Sequence, residues 1–228
     1  MWNQIELIYN ITFVSVQKVE GTYQHQVYLA SSVDKKKLII KVYDDIVDKV
    51  QHQIILQEKL STKNLAPKVY KTISGQDYTI IANKVVYLQE YIYGTGKSVH
   101  LTNLINLYME LSPSFIHGDL RPDNVINTNE NSYFIDFEYV RQGNRSIEIL
   151  KYLILEHEGK LRKIEKDYKL LSSFLNLHSF NEATKECIKE VIQFKFLVHH
   201  ISSLDREYII QCFKESALII KTCLEIIK

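Results

Sequence analysis

An α+β fold is predicted by three features of the chain. Short apolar runs rich in β-branched and aromatic residues, separated by turn residues, fill most of the stretch before about residue 91. One helical pattern, 45–60, interrupts them. From residue 147 onward, apolar residues recur at steps of three and four instead. Strands first and helices afterwards give a sheet and a helical part segregated along the chain, not alternating βαβ units.

In chain order, 11–19 and 25–30 read as two strands broken by Gly21-Thr22. A third, 36–43, contains Leu38-Ile39-Ile40-Lys41-Val42-Tyr43. A lysine inside an apolar run is costly to bury unless it is paired. Lys41 is therefore a binding residue, or a side chain that snorkels from an edge strand. Lys35, Lys36 and Lys37 precede the run and read as a solvated turn. The helix over 45–60 has Ile46, Val50, Ile54 and Leu60 on its apolar face, with Asp44 or Asp45 as cap. Strands at 69–74, 78–82 and 85–91 complete an antiparallel sheet, and a helix over about 100–111 leads through Ser112-Pro113. Near the other end, 147–171 reads as one helix of mixed charge. Ser179 and Glu182 form a capping-box signal. Cys187, Val191, Phe194, Val198 and Ile201 make one apolar stripe; Ile209, Phe213, Ala217, Ile220, Leu224 and Ile227 make another. Such stripes are core.

Composition narrows the function. The chain has 228 residues, 46% apolar and 24% charged, which is globular and not disordered. A net charge of +1 gives no global field for nucleic acid or an anionic membrane. No apolar stretch reaches membrane-spanning length, and residues 1–10 lack a basic region followed by an apolar run. Cys187, Cys212 and Cys223 have no metal-like spacing and read as buried thiols in a reducing compartment, so a cytoplasmic location is expected. His199 and His200 are adjacent, point to different faces of a helix and make a poor metal pair.

The chemistry is concentrated in one stretch, His117-Gly118-Asp119-Leu120-Arg121-Pro122-Asp123-Asn124, followed by Ile135-Asp136-Phe137-Glu138-Tyr139. Val125-Ile126 and Tyr133-Phe134-Ile135 are apolar and 127–132 is turn-rich, so a short hairpin would return Asp136 toward Asn124. That would supply one base-like carboxylate, Asp119, and a two-oxygen Mg²⁺ site from Asn124 and Asp136.

These residues resemble the protein-kinase-like superfamily, and within it the aminoglycoside phosphotransferases and the choline and ethanolamine kinases. The H-G-D-L-R-P-D-N run is similar to a kinase catalytic loop, and I-D-F-E-Y is similar to the segment choline kinases carry in place of D-F-G. The resemblance implies a two-lobed fold. Residues 1–89 would be an antiparallel-sheet lobe with one helix, and 90–228 a compact, mostly helical lobe. It implies ATP and Mg²⁺ as cofactors, and a small-molecule hydroxyl as acceptor. Lys41 would take the α/β-phosphates, and Gly21 and Thr22 would cover the phosphates with backbone N–H groups, although an ordinary hairpin turn is the alternative there. Glu90 and Ile92 would present backbone groups to the adenine, and Gly94-Thr95-Gly96 would turn the chain into the second lobe. Asp119 would accept the proton of the acceptor hydroxyl, and Arg121 would neutralise charge on the transferred phosphoryl group. Asn124 and Asp136 would hold the metal. His117 would be structural.

Three positions depart from the pattern. The helix glutamate that pairs with the strand lysine falls near Gln53, with Glu58 the nearest carboxylate, so one of these two would position Lys41. Glu148 stands where an aspartate braces the catalytic loop; it either does so or is a solvated helix residue. The connection before the catalytic loop is short, so a part of the substrate site is missing or moved. Glu156, Glu158 and Asp167 could hold a cationic amine or form a solvated face. An atypical small protein kinase and a non-catalytic pseudokinase are the alternative readings.

Overall fold

The structure, a computed structural model, describes residues 1–20, 25–44, 47–95, 98–198 and 206–227. Gly21, Thr22, Asp45, Ile46, Gly96, His199, His200 and Ile201 lie outside the described residues, as do the side chains of Phe194, Val198, Ile209, Cys212 and Phe213. Backbone packing divides the chain into two units. The first is Met1–Lys97 with Ile126–Glu138; the second is Ser98–Val125 with Tyr139–Lys228. The sequence reading divided the chain after residue 89; by backbone packing 90–95 and the segment 126–138 group with the sheet.

In the first unit a helix α1, Trp2–Tyr9, precedes strands β1 Phe13–Lys18, β2 Gln26–Ser32 and β3 Lys37–Tyr43. Helix α2, Val47–Ser61, leads to β4 Val69–Tyr70, β5 Thr79–Ile81 and β6 Lys84–Glu90. The sheet order is β1-β2-β3-β6-β4, with β5 also on β6, and every pairing is antiparallel. Strand alternation decides which side chains meet. Leu38, Ile40 and Val42 of β3, with Val86 and Leu88 of β6, form one buried cluster with Ile5 and Tyr9 of α1. The opposite face carries Tyr43, Val85 and Tyr87 against Val50 and Ile54 of α2. Lys41 pairs in register with Tyr87 and shares that second face.

The sequence reading missed α1. It has only eight residues, and its N-cap, Met1, makes no side-chain cap bond. The helix ends at Asn10 in a left-handed conformation, φ 50°, and the Phe13 amide donates to Glu6 Oε1 at 2.6 Å. The strand expected over 69–74 stops at Tyr70, because a turn takes over in which the Thr72 amide donates to Gln76 O at 2.8 Å.

The second unit holds α3 Leu101–Glu110, α4 Arg145–Glu156, α5 Leu161–Leu175, α6 Phe180–Val198 and α7 Arg206–Ile227. The single helix expected over 147–171 is two. Glu158 (φ 50°) and Gly159 (φ 75°) turn left-handed and end α4, the Gly159 amide closing on Ile154 O at 3.0 Å. Asn144 caps α4 by accepting from the Ser146 amide at 2.9 Å. The capping box is present: Ser179 N donates to Glu182 Oε2 at 3.1 Å, and Glu182 N to Ser179 Oγ at 3.3 Å. Tyr152, Leu153, Ile149 and Leu150 of α4 are fully buried, which makes α4 the central helix, packed by α5, α6 and α7. Cys187 and Cys223 are buried free thiols, as expected. Among the described residues no helix is long and apolar enough to cross a membrane.

Candidate active site

In the second unit the loop 117–124 follows the short strand Phe115–Ile116, which pairs with Arg141–Gln142. Its shape is set by a carboxylate. Glu148, 7% exposed on the first turns of α4, accepts from the His117 amide at 2.9 Å and the Gly118 amide at 2.6 Å. Tyr108 of α3 donates its hydroxyl to the same carboxylate. Burial, and then the charge of Glu148, hold that phenol well above its usual range, so Tyr108 stays a donor. Of the two alternatives for Glu148, the brace is the one the structure places.

Gly118 has φ +87°, and a Cβ there would lie 1.9 Å from Tyr139 O, so only glycine fits. Asn124 Nδ2 donates to Asp119 O at 2.8 Å and to Asp119 Oδ2 at 2.9 Å. The amide nitrogen thereby orients the carboxylate, and Oδ1, the metal-binding kind of atom, is the end not engaged with Asp119. Arg121 donates to Glu215 of α7 at 2.8 Å and to Asp123 at 3.4 Å. His117 is fully buried, in keeping with a structural role.

In the first unit, Lys41 is 4% exposed and its Nζ is ion-paired with Asp136 Oδ1. Burial pulls the ammonium down, but carboxylate charge, Asp136 foremost, reverses this, and the net displacement is upward: Lys41 is charged. Asp136 follows the hairpin Val125–Asn127/Ser132–Phe134, sits at φ +61°, and its side chain is 33% exposed. Two residues on, Glu138 accepts from Tyr43 Oη at 2.8 Å and lies 2.8 Å from His25 Nδ1. Burial alone would raise its carboxyl; the imidazole of His25, then Tyr43 and Lys41, outweigh burial and hold it below the usual carboxylate range.

The two candidates for positioning Lys41 are engaged elsewhere. Gln53 donates to the hydroxyls of Tyr43 at 2.9 Å and Tyr87 at 3.1 Å, and Glu58 pairs with Lys71. The physical reason for the difference is charge. Gln53 brings none, Glu58 points out to a surface lysine, and Asp136 is the carboxylate that reaches Nζ. Glu90 ends β6, its amide donating to Lys68 O at 2.8 Å, and Ile92 follows in a partly buried segment. Sequence reasoning missed His25 and Tyr43. A signal existed for Tyr43, which is two residues from Lys41 on the same strand face; none existed for His25.

Comparison with known proteins bears on the fold and on the stretch that holds the 117–124 loop. A family model described as the phosphotransferase enzyme family matches residues 97–163, a stretch that contains the 117–124 loop and the Asp136 segment. A spectinomycin phosphotransferase in complex with ADP and spectinomycin superposes with a TM-score of 0.68 at 11% identity, covering 98% of this chain and 96% of that one. An aminoglycoside phosphotransferase from Alicyclobacillus acidocaldarius gives 0.63 at 9% identity, over 96% and 93%. A choline kinase from Cryptosporidium parvum gives 0.57 at 14% identity, over 93% and 90%. No curated protein sequence matches the chain. The fold is the protein-kinase-like fold, α+β, as expected. Within it, the segment that bears the loop carries the phosphotransferase family's sequence pattern, and the resemblance read from the residues is borne out.

Proposed function

We propose that the chain is an ATP- and Mg²⁺-dependent phosphotransferase that moves the γ-phosphoryl group of ATP to a hydroxyl of a small molecule. The observation that carries this reading is the buried, charged Lys41 held by Asp136 in the interior of an otherwise apolar strand. An apolar side chain would serve packing better at that place, so the charge has a use. Phosphates are the group such an ammonium serves, and a carboxylate beside it fits a divalent ion.

In this reading Lys41 binds the α/β-phosphates, and Asp136 and Asn124 are the proposed metal residues. Mg²⁺, when bound, neutralises phosphate charge. Asp119, oriented by Asn124, accepts the proton as the acceptor oxygen attacks phosphorus and the bond to the ADP oxygen breaks. Arg121 is proposed to stabilise charge on the transferred group, once released from Glu215. Backbone groups at Glu90 and Ile92 are proposed for the adenine, with Gly21 and Thr22 over the phosphates. The choice of a small molecule over a protein acceptor is supported by the family match and by Glu138 standing where a flexible glycine would permit activation-loop switching. The test is transfer from γ-labelled ATP with a panel of acceptors: choline, ethanolamine, aminoglycosides, thiamine and sugars. Label on a small molecule supports the proposal. Label on protein supports a protein kinase, and nucleotide binding without transfer supports a pseudokinase.

A further inference from the structure

His25, Asp136 and Glu138 all belong to the first unit, and one ligand atom from each lies within 4.8 Å of the others. The imidazole is the informative member. Its side chain is 9% exposed, and Nδ1 lies 2.8 Å from Glu138 Oε1 without completing a hydrogen bond of good geometry. The ring is fixed in that attitude by stacking on Tyr43, centroids 4.4 Å apart and planes 17° apart. Tyr43 in turn fixes Glu138 through its hydroxyl. A buried nitrogen that faces a carboxylate without bonding well to it is suited to sharing a cation with it. Two ligand atoms at about 2.1 Å from an ion and at right angles stand about 3.0 Å apart, close to the separation found. Opposite ligands stand about 4.2 Å apart at such bond lengths, so gathering all three needs shifts of tenths of an ångström.

We infer that His25, Asp136 and Glu138 form a binding site for a divalent transition-metal ion. The donor set is one imidazole nitrogen and two carboxylates. Imidazole suits zinc, iron or nickel, and in the mixed donor set manganese is a spectroscopic substitute; magnesium prefers oxygen ligands and sheds water reluctantly. The charge of the site is compatible: two carboxylates against one ammonium, Lys41, which pairs with Asp136 and must share that carboxylate with the ion. The inference rests on the reading of Asp136 as a metal residue, but needs neither nucleotide nor turnover.

The test is Mn²⁺ binding to the full chain without nucleotide, followed by electron paramagnetic resonance with pulsed detection of nitrogen couplings. The expected result is one Mn²⁺ per chain, carrying the coupling of one imidazole nitrogen, displaced by Zn²⁺ more readily than by Mg²⁺. His25→Gln, verified as folded by thermal melting, should remove the coupling and weaken Mn²⁺ by about tenfold or more. Bound Mn²⁺ with no nitrogen coupling in the parent would overturn the inference, and so would no nucleotide-free binding at all. Because the parent's spectrum decides alone, a misfolded variant does not rescue it. A chain that binds Mn²⁺ this way yet transfers no phosphate would sink the proposed function and leave this site standing.

Discussion

The carboxylate of Glu148 holds the amide of Gly118 at 2.6 Å, and its other oxygen holds the preceding amide. The 117–124 loop is thus hung by its backbone from α4, the central helix of its unit. Glu148→Ala leaves two amides and the Tyr108 hydroxyl without their acceptor. Stability should fall by about 2–4 kcal/mol in denaturant melts, with turnover lost. Glu148→Gln keeps one acceptor oxygen and should cost about half as much. A silent Ala variant would show that the loop holds its shape unaided.

Asp119→Asn separates chemistry from binding. It keeps the shape and the oxygen that Asn124 contacts but loses the basic carboxylate. A positioned base is worth roughly 10²–10⁴ in rate. Nucleotide affinity should be near that of the parent, with kcat lower by a factor in that range. Unchanged turnover would remove Asp119 as the base.

Lys41→Ala should lower kcat/KM for ATP by about 10²-fold or more. Lys36→Ala and Lys37→Ala should stay within about twofold of the parent. Lys36 pairs with Asp34 at the exposed turn, and Lys37 lies over the Tyr91 and Tyr93 rings at 5.3 and 5.4 Å; both are surface contacts of small energy. Equal effects from all three would mean that the phosphate lysine lies elsewhere.

Asp136→Asn should abolish Mg²⁺-dependent turnover and also destabilise the fold. Lys41, its side chain 5% exposed, would lose its counter-ion. Breaking a buried pair costs about 3–5 kcal/mol, and the partial exposure of Asp136 reduces this to about 1–3. The double variant Lys41→Met/Asp136→Asn should recover most of that stability and none of the activity. Additive losses in a double-mutant cycle would show that the two groups are not coupled.

Gly118→Ala should be among the most damaging single-methyl changes in the chain. Its Cβ would collide with a backbone oxygen at a positive φ, for about 3 kcal/mol or more. Gly143→Ala is the control. Its Cβ meets the end of the Ile116 side chain at 2.4 Å, which can rotate away at about 1 kcal/mol.

What the sequence made legible was local. The continuous apolar run 38–43 was enough to single out Lys41 as its one charged residue, and its spacing from Asp119 and Asn124 did not matter to that reading. Short-range turn chemistry gave the hairpin after Asn124 and the Ser179–Glu182 box. The misses have two causes. Helix α1 is too short for its periodicity to stand out, and the break at Glu158-Gly159 was hidden by helical patterns on both sides. The polar cluster of His25, Tyr43, Gln53 and Glu138 joins α2, two strands and the Asp136 segment, and periodicity carries no signal for contacts between distant segments. The same holds for the carboxylate on Lys41: a helix partner was sought, and the partner came from beyond the hairpin.

Lys41 and Asp136 are 95 residues apart in the chain yet belong to one unit. At a ribosome adding roughly 5–20 residues per second, about 5–20 s pass between the synthesis of the lysine and that of its counter-ion. The sheet therefore emerges well before the charge that satisfies its interior, and the whole of 98–125 is made in the interval. During biogenesis β3 carries an unneutralised ammonium toward α2, which opposes early closure of that face. Completion of the first unit is thereby timed to the arrival of the Asp136 segment, and a stall or truncation before residue 136 would leave a sheet with its lysine unmatched.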